Sequence, residues 1–267
     1  MYEQYYGLSE KPFSLTPDTE FFYQSFTHLE ALNVLLVAIR AGDGFIKVTG
    51  EVGTGKTLLC RKLLDALEHE YDTVYIPNPY MNCNALLDAV AVEMGIADRL
   101  EHDNYMTCIN EYLIANARQG RATVIILDEA QSLPEQSLEA IRLLSNLETG
   151  KQKLVQIVLF GQPELDARLA QSSIRQLQQR IMHAYQLQPL NRDSVRSYLM
   201  HRVKSAGYRG PELFDNGALR RLYKLSQGIP RVINVLCNKA LMLSYASGEF
   251  YVSSKHIEAA AADSQLQ

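Results

Sequence analysis

Residues Gly50 to Thr57 read Gly-Glu-Val-Gly-Thr-Gly-Lys-Thr and follow the apolar run Phe45-Ile46-Lys47-Val48. A short apolar run, a glycine-spaced turn and a Gly-Lys-Thr start to a helical stretch leave few architectures open, because the chain must pass from strand to helix through a loop that only glycine can curl. Successive N–H groups of such a loop turn inward, and a helix starting near Gly55 adds the positive end of its dipole. The anion that fits is a nucleoside triphosphate, and Gly50, Glu51, Val52, Gly53, Thr54, Gly55, Lys56, Thr57 and Leu58 form the expected binding stretch. Lys56 is expected to reach the β- and γ-phosphates, and the Thr57 hydroxyl to coordinate the magnesium ion that bridges them.

The rest of the chain supplies the setting. Short β-like runs at Phe45 to Thr49, Thr73 to Ile76, Thr123 to Leu127, Leu154 to Phe160 and His183 to Gln188 alternate with helical patterns, which predicts a parallel sheet covered by helices on both faces. Val124-Ile125-Ile126-Leu127 has no polar position, as a central strand buried on both sides requires. Leu59, Leu63 and Leu67 fall on one side of a helix expected over 55–69. After Pro189 the β signals fade, and helical patterns over 191–206, 215–227, 230–246 and 253–263 predict a small all-helical domain from 190 to 267 behind an α/β core over 1–189. Asp193 and Asn216 are the expected caps of its first two helices, and Pro230 behind Gly228 opens another.

Composition narrows the function classes. The chain has 267 residues, 47% hydrophobic and 21% charged, enough to bury a sizeable core. No apolar stretch reaches the ~20 residues of a membrane-spanning helix. The start Met1-Tyr2-Glu3-Gln4-Tyr5-Tyr6 lacks the apolar run of a signal peptide, so a cytoplasmic location is expected. Cys60, Cys83, Cys108 and Cys237 form no C-x-x-C pair and are expected to be buried free thiols rather than zinc ligands or disulfides. Charge is uneven: residues 1–189 hold 15 Lys/Arg against 24 Asp/Glu, a net −9, whereas 190–267 hold 11 against 6, a net +5. The basic end is a candidate surface for nucleic acid or anionic lipid.

The candidate chemistry gathers at strand ends. Val124 to Leu127 runs into Asp128-Glu129, where Asp128 is placed to hold magnesium, directly or through water, and Glu129 to orient and deprotonate an attacking water. Leu154 to Phe160 runs into Gly161-Gln162-Pro163-Glu164, so Gln162 is expected at the same sheet edge, within reach of the γ-phosphate or the water. Arg175 and Arg180, five apart on an expected helix, point in different directions. Arg231, in Gly228-Ile229-Pro230-Arg231, lies on the first turn of a helix, where a cation opposes the dipole unless an anion faces it.

The phosphate loop, Asp128-Glu129, Gln162, Arg180 and Gly-x-Pro-Arg231 ahead of a helical lid resemble the AAA+ ATPases over residues 40–250. Tyr6-Gly7-Leu8, Lys11-Pro12-Phe13, Thr16-Pro17-Asp18 and His28-Leu29-Glu30-Ala31-Leu32 are similar to the opening of the GspA/ExeA-type secretion ATPases. Asp128-Glu129-Ala130-Gln131 and Leu159-Phe160-Gly161-Gln162-Pro163-Glu164-Leu165 match that group too. Those relatives often continue into a membrane span and a periplasmic peptidoglycan-binding module. This chain stops before either, a form similar to the MSHA type IV pilus biogenesis ATPases.

The resemblance implies an AAA+ αβα core with a parallel sheet and a helical lid, hydrolysing ATP to ADP with Mg2+. It implies Walker A at Gly50 to Thr57 and Walker B at Asp128-Glu129. Gln162 takes the sensor 1 place, where most AAA+ proteins carry Asn, Thr or Ser, and Arg231 is sensor 2, touching the γ-phosphate from the lid. Arg180 takes the arginine-finger place, with Arg175 the runner-up, acting on a neighbouring subunit's nucleotide. A homo-oligomeric ring, commonly hexameric in this superfamily, and pilus or secretion assembly proteins at the inner membrane are the implied partners. The aromatic N-terminal arm, with Tyr5, Tyr6, Phe13, Phe21, Phe22 and Tyr23, is expected to pack as an ordered segment and to contribute to an adenine pocket. The basic helical end keeps a second reading, a DNA-associated ATPase resembling transposition regulators such as TniB.

Overall fold

A computed structural model of the chain describes residues 2–16, 20–96, 105–148 and 153–264. Pro17 and Asp18 of the N-terminal motif lie outside the described residues. The elements run α1 (Tyr2–Tyr6), α2 (Phe26–Ala41), β1 (Phe45–Gly50), α3 (Lys56–Leu67), β2 (Tyr71–Ile76), α4 (Cys83–Glu93), α5 (Tyr105–Arg118), β3 (Ala122–Leu127), α6 (Glu135–Leu144), β4 (Val155–Gly161), α7 (Glu164–Leu169), α8 (Arg175–Gln178), β5 (His183–Leu187), α9 (Arg192–Ser205), α10 (Asn216–Ser226), α11 (Pro230–Ala246) and α12 (Ser254–Asp263). They form two compact units: Glu30–Gly50 with Leu59–Leu187, and Met1–Leu29 with Glu51–Leu58 and Gln188–Gln267.

The first unit is a five-stranded sheet in the order β2-β3-β4-β1-β5, with every pairing parallel. Successive side chains on the central strands go to opposite faces, so each strand feeds two cores. Ile125, Leu127, Ile157 and Leu159 pack with Leu86, Val90, Ile109, Leu113, Leu138 and Ile141 from α4, α5 and α6. Val124, Ile126, Val158 and Phe160 pack with Leu35 and Ile39 of α2 and with Leu59, Leu63 and Leu67 of α3. This is the three-layer αβα arrangement that the alternation of elements predicts. The register sets Leu127 beside Leu159 and Thr49 beside Gly161. The carboxyl ends of β1, β3 and β4 therefore share one edge, and there Gly50, Asp128 and Gln162 leave the sheet.

The second unit is helical. Its core joins Tyr2, Tyr6, Leu8, Phe13 and Phe21 of the N-terminal arm to Leu199, Leu222, Ile233, Leu236, Cys237, Leu241 and Ile257 of the helices. Arg202, itself buried, ties the arm down: Nε donates to the Pro12 carbonyl at 2.6 Å and Nη2 to that of Ser14 at 3.2 Å, with the guanidinium 4.6 Å from the Phe21 ring centre. Two of the expected caps are corrected. Asn191, not Asp193, caps α9 by accepting from Ser194 N–H, and Asp215, not Asn216, caps α10 by accepting from Ala218 N–H. The first helical N–H groups lie two to three residues beyond the capping side chain, which fixes the cap one or two places earlier than the charge pattern suggests. All four cysteines are free, with Cys60 and Cys237 buried and Cys83 and Cys108 only partly so.

Candidate nucleotide site

The helical unit contains the phosphate loop. Gly53 and Gly55 have φ of +84° and +100°, the left-handed region that lets the chain fold back before α3 begins at Lys56. Neither glycine has room for a side chain. A Cβ on Gly53 would sit 2.4 Å from Arg231 Cβ, and one on Gly55 2.7 Å from His28 Nε2. The loop is cross-braced by Thr54 Oγ1, which donates to the Glu51 carbonyl at 2.8 Å, and by Lys56 Nζ, which donates to the same oxygen at 3.0 Å. Lys56 is buried. Thr57 and Leu58 follow on the first turn of α3, half-buried, while Glu51 and Val52 are exposed.

Arg231 comes to this loop, as its place behind Gly228-Ile229-Pro230 suggests. Its backbone N–H donates to the Gly53 carbonyl at 3.2 Å, with Pro230 at the first position of α11 and the arginine exposed. Gly228, at φ +77°, is required by a close approach: a Cβ there would lie 1.9 Å from the Leu190 carbonyl oxygen, and Leu190 N–H donates to the Gly228 carbonyl at 2.9 Å. His28 is the part of the loop's setting that sequence reasoning missed. Its Nε2 faces the Thr54 carbonyl at 3.0 Å and its Nδ1 the Ser25 hydroxyl at 2.6 Å. A carbonyl only accepts, so Nε2 carries the proton and Nδ1 accepts from Ser25. Burial pushes the imidazole down to about 4, the Thr54 bond opposing the drop.

The carboxylates belong to the sheet unit. Asp128, buried at the end of β3, anchors there through its N–H to the Ile76 carbonyl, and its Oδ1 accepts the Glu129 N–H at 2.9 Å. Glu129 has φ +52°, a left-handed backbone that a glutamate seldom adopts. Glu129 Oε2 accepts from Gln131 Nε2 at 2.5 Å and from Gln162 Nε2 at 3.1 Å, so Gln162 is joined to the candidate base. Gln131 follows in a 3-10 turn over Ala130–Ser132, and Arg168 of α7 donates to the carbonyls of Gln131 and Leu133.

One expectation for the arginines changes. α8 ends at Gln178, so Arg175 and Arg180 do not share a helix; Arg180 lies in the turn that follows, its N–H on the Leu177 carbonyl. Arg175 is exposed at the first position of α8, whereas Arg180 is half-buried, with Nη1 3.4 Å from Ser145 Oγ. Met182 N–H bonds the Phe45 carbonyl. This puts Arg180 by the amino end of β1, across the sheet from Asp128, Glu129 and Gln162, a strand length of roughly 17 Å.

Magnesium carried by a nucleotide keeps several waters and takes few protein ligands. Among the described residues no three His, Cys, Asp or Glu gather into a metal cluster. Each unit offers one oxygen donor of the kind such an ion takes, the buried Asp128 carboxylate in one and the Thr57 hydroxyl in the other.

Residues 39–169 match the AAA domain family. The chain is 42% identical over 267 residues to general secretion pathway protein A of Aeromonas hydrophila; the match covers 98% of this chain and 48% of that protein, so the chain spans about half the length of this relative. Among solved structures, Cdc6p of Pyrobaculum aerophilum is similar with a TM-score of 0.71 at 15% identity, over 94% of this chain and 70% of that one. The ORC1 protein of Aeropyrum pernix, solved with DNA, gives 0.62 at 20% identity over 95% and 69%. The RuvB Holliday junction branch migration motor of Thermotoga maritima gives 0.59 at 17% identity over 94% and 72%. At these identities the structures speak for the fold, that of the AAA P-loop ATPases.

Proposed function

We propose that this AAA-fold chain is a magnesium-dependent ATPase that drives or regulates the assembly of a secretion or type IV pilus apparatus, of the general secretion or MSHA kind, at the inner membrane. The observation that carries the ATPase reading is the Glu129 carboxylate, on a left-handed backbone just after β3 and bound by two amides, one of them from the residue that follows β4. A protein that only held a nucleotide would have no use for it.

In this reading the curled loop and Lys56 bind the phosphates, and Arg231 reads the γ-phosphate. Thr57 and Asp128 hold the magnesium ion, which neutralises charge on the phosphates when bound. Glu129 takes a proton from a water whose oxygen forms a bond to the γ-phosphorus as the bond to the bridging oxygen breaks, giving ADP and phosphate. Gln162 orients that water. Arg180, across the sheet from the carboxylates, serves a neighbouring subunit's nucleotide in a homo-oligomeric ring; such a finger is worth ~10³ or more in rate. The 42% identity to general secretion pathway protein A supports assembly proteins as partners. Among the described residues no helix is long and apolar enough to cross a membrane.

The test is phosphate release and nucleotide binding in parallel. Lys56→Ala is expected to lose ATP binding; binding unchanged by that substitution would remove the phosphate-loop assignment. A second reading, a DNA-associated ATPase, is favoured by the net +5 over residues 190–267. It predicts duplex binding that falls steeply as salt rises. No binding at low salt would dispose of it.

A further inference from the structure

We propose that Gln131 is a positioning residue that holds the Glu129 carboxylate in its working orientation and couples it to Gln162, an inference that rests on the ATPase reading. Both ends of its amide are engaged. Nε2 donates to Glu129 Oε2 at 2.5 Å, and Oε1 accepts the Gln162 backbone N–H at 2.9 Å. The Gln162 side chain closes the set with its own bond to Glu129 Oε2 at 3.1 Å. One carboxylate oxygen thus takes two amide donors, and the residues that follow β3 and β4 are tied together by the side chains of Gln131 and Gln162.

The surroundings fix the amide in turn. The carbonyls of Gln131 and Leu133 accept from the Arg168 guanidinium, which staples the 3-10 turn to α7. Gly161 leaves the space the amide occupies, since a Cβ there would approach Gln131 Oε1 to 3.3 Å and Leu165 Cδ2 to 2.6 Å. Position 131 needs a donor and an acceptor at one fixed reach. A glutamate would set a second carboxylate against Glu129, an asparagine falls a methylene short, and an apolar side chain supplies neither bond. When Gln162 turns its amide to a phosphate or to the attacking water, Gln131 is the donor that stays on Glu129.

The experiment compares steady-state ATP hydrolysis and nucleotide affinity of the wild type, Gln131→Met and Glu129→Gln. Gln131→Met is expected to keep nucleotide affinity within about twofold while kcat falls on the order of 10–100-fold, as for a catalytic group left loosely aimed. A merely structural role would lower affinity and kcat together, whereas a positioning role separates them. Unchanged kcat, or a kcat and an affinity that fall together, overturns the assignment. If Gln131→Met does not fold, Gln131→Asn, whose amide falls a methylene short, carries the same expectations. Full hydrolysis by Glu129→Gln would instead sink the base assignment itself, so the two failures are distinguishable.

Discussion

His28 is a histidine held neutral inside the helical unit, with its two nitrogens committed to Ser25 and to the phosphate-loop carbonyl of Thr54. Its folded value of about 4 lies below the ordinary 6.5. Between these values the unfolded chain binds a proton that the folded chain refuses, so stability is intact above pH 6.5 and drains away as pH falls toward 4. The loss amounts to about 3 kcal/mol. His28→Gln keeps an N–H for Thr54 without titrating. Across that window the wild type should lose about 3 kcal/mol more unfolding free energy than the variant, as read by denaturant titration at each pH, and parallel losses would contradict this. Gly53 makes a different demand. Its φ of +84° and the 2.4 Å from a built Cβ to Arg231 Cβ predict that Gly53→Ala costs roughly 2 kcal/mol or more and weakens ATP binding.

The strand-to-helix passages were legible because their signals are local. An all-apolar run followed by Asp128-Glu129, or a mostly apolar one followed by Gly161-Gln162, reads as a buried strand reaching the sheet edge, and β3 and β4 end there. Gly228-Pro230 likewise announced the start of α11. What sequence could not supply were partners distant along the chain. Leu190, which forbids a side chain at 228, lies 38 residues before it, and Gln162, the second partner of the Gln131 amide, is 31 residues away. Gln131 was visible as part of a motif, yet nothing in its spacing said that its amide faces Glu129. Gly228→Ala should therefore destabilise the helical unit severely, since its Cβ would meet backbone rather than a movable side chain; a thermal midpoint within a degree or two of wild type would refute that. The turn after α8 carries its own prediction. Arg180→Ala should hydrolyse ATP at least ~10²-fold more slowly and regain activity when mixed with Glu129→Gln subunits, whose Arg180 is intact. No recovery would leave Arg175, exposed at the start of α8, as the finger, or no finger at all.

For the molecule as a whole, the candidate residues are divided between two compact units, with Glu51–Leu58 and Arg231 in one and Asp128, Glu129, Gln162 and Arg180 in the other. The aromatic N-terminal arm shares its core with the helices, a union hidden from sequence because Tyr2 and Asn238, whose side chains bond at 2.8 Å, stand 236 residues apart. If a ring is the working form, specific ATPase activity should climb with protein concentration and level off when assembly is complete; a flat dependence with a monomeric sedimentation profile would deny it. The decisive comparison sets Glu129→Gln beside the wild type, with ATP affinity measured by titration and turnover by phosphate release. Affinity should stay within about twofold of wild type and hydrolysis fall at least ~10³-fold, the loss of a general base and the positioning it provides. Hydrolysis at the wild-type rate would contradict that role.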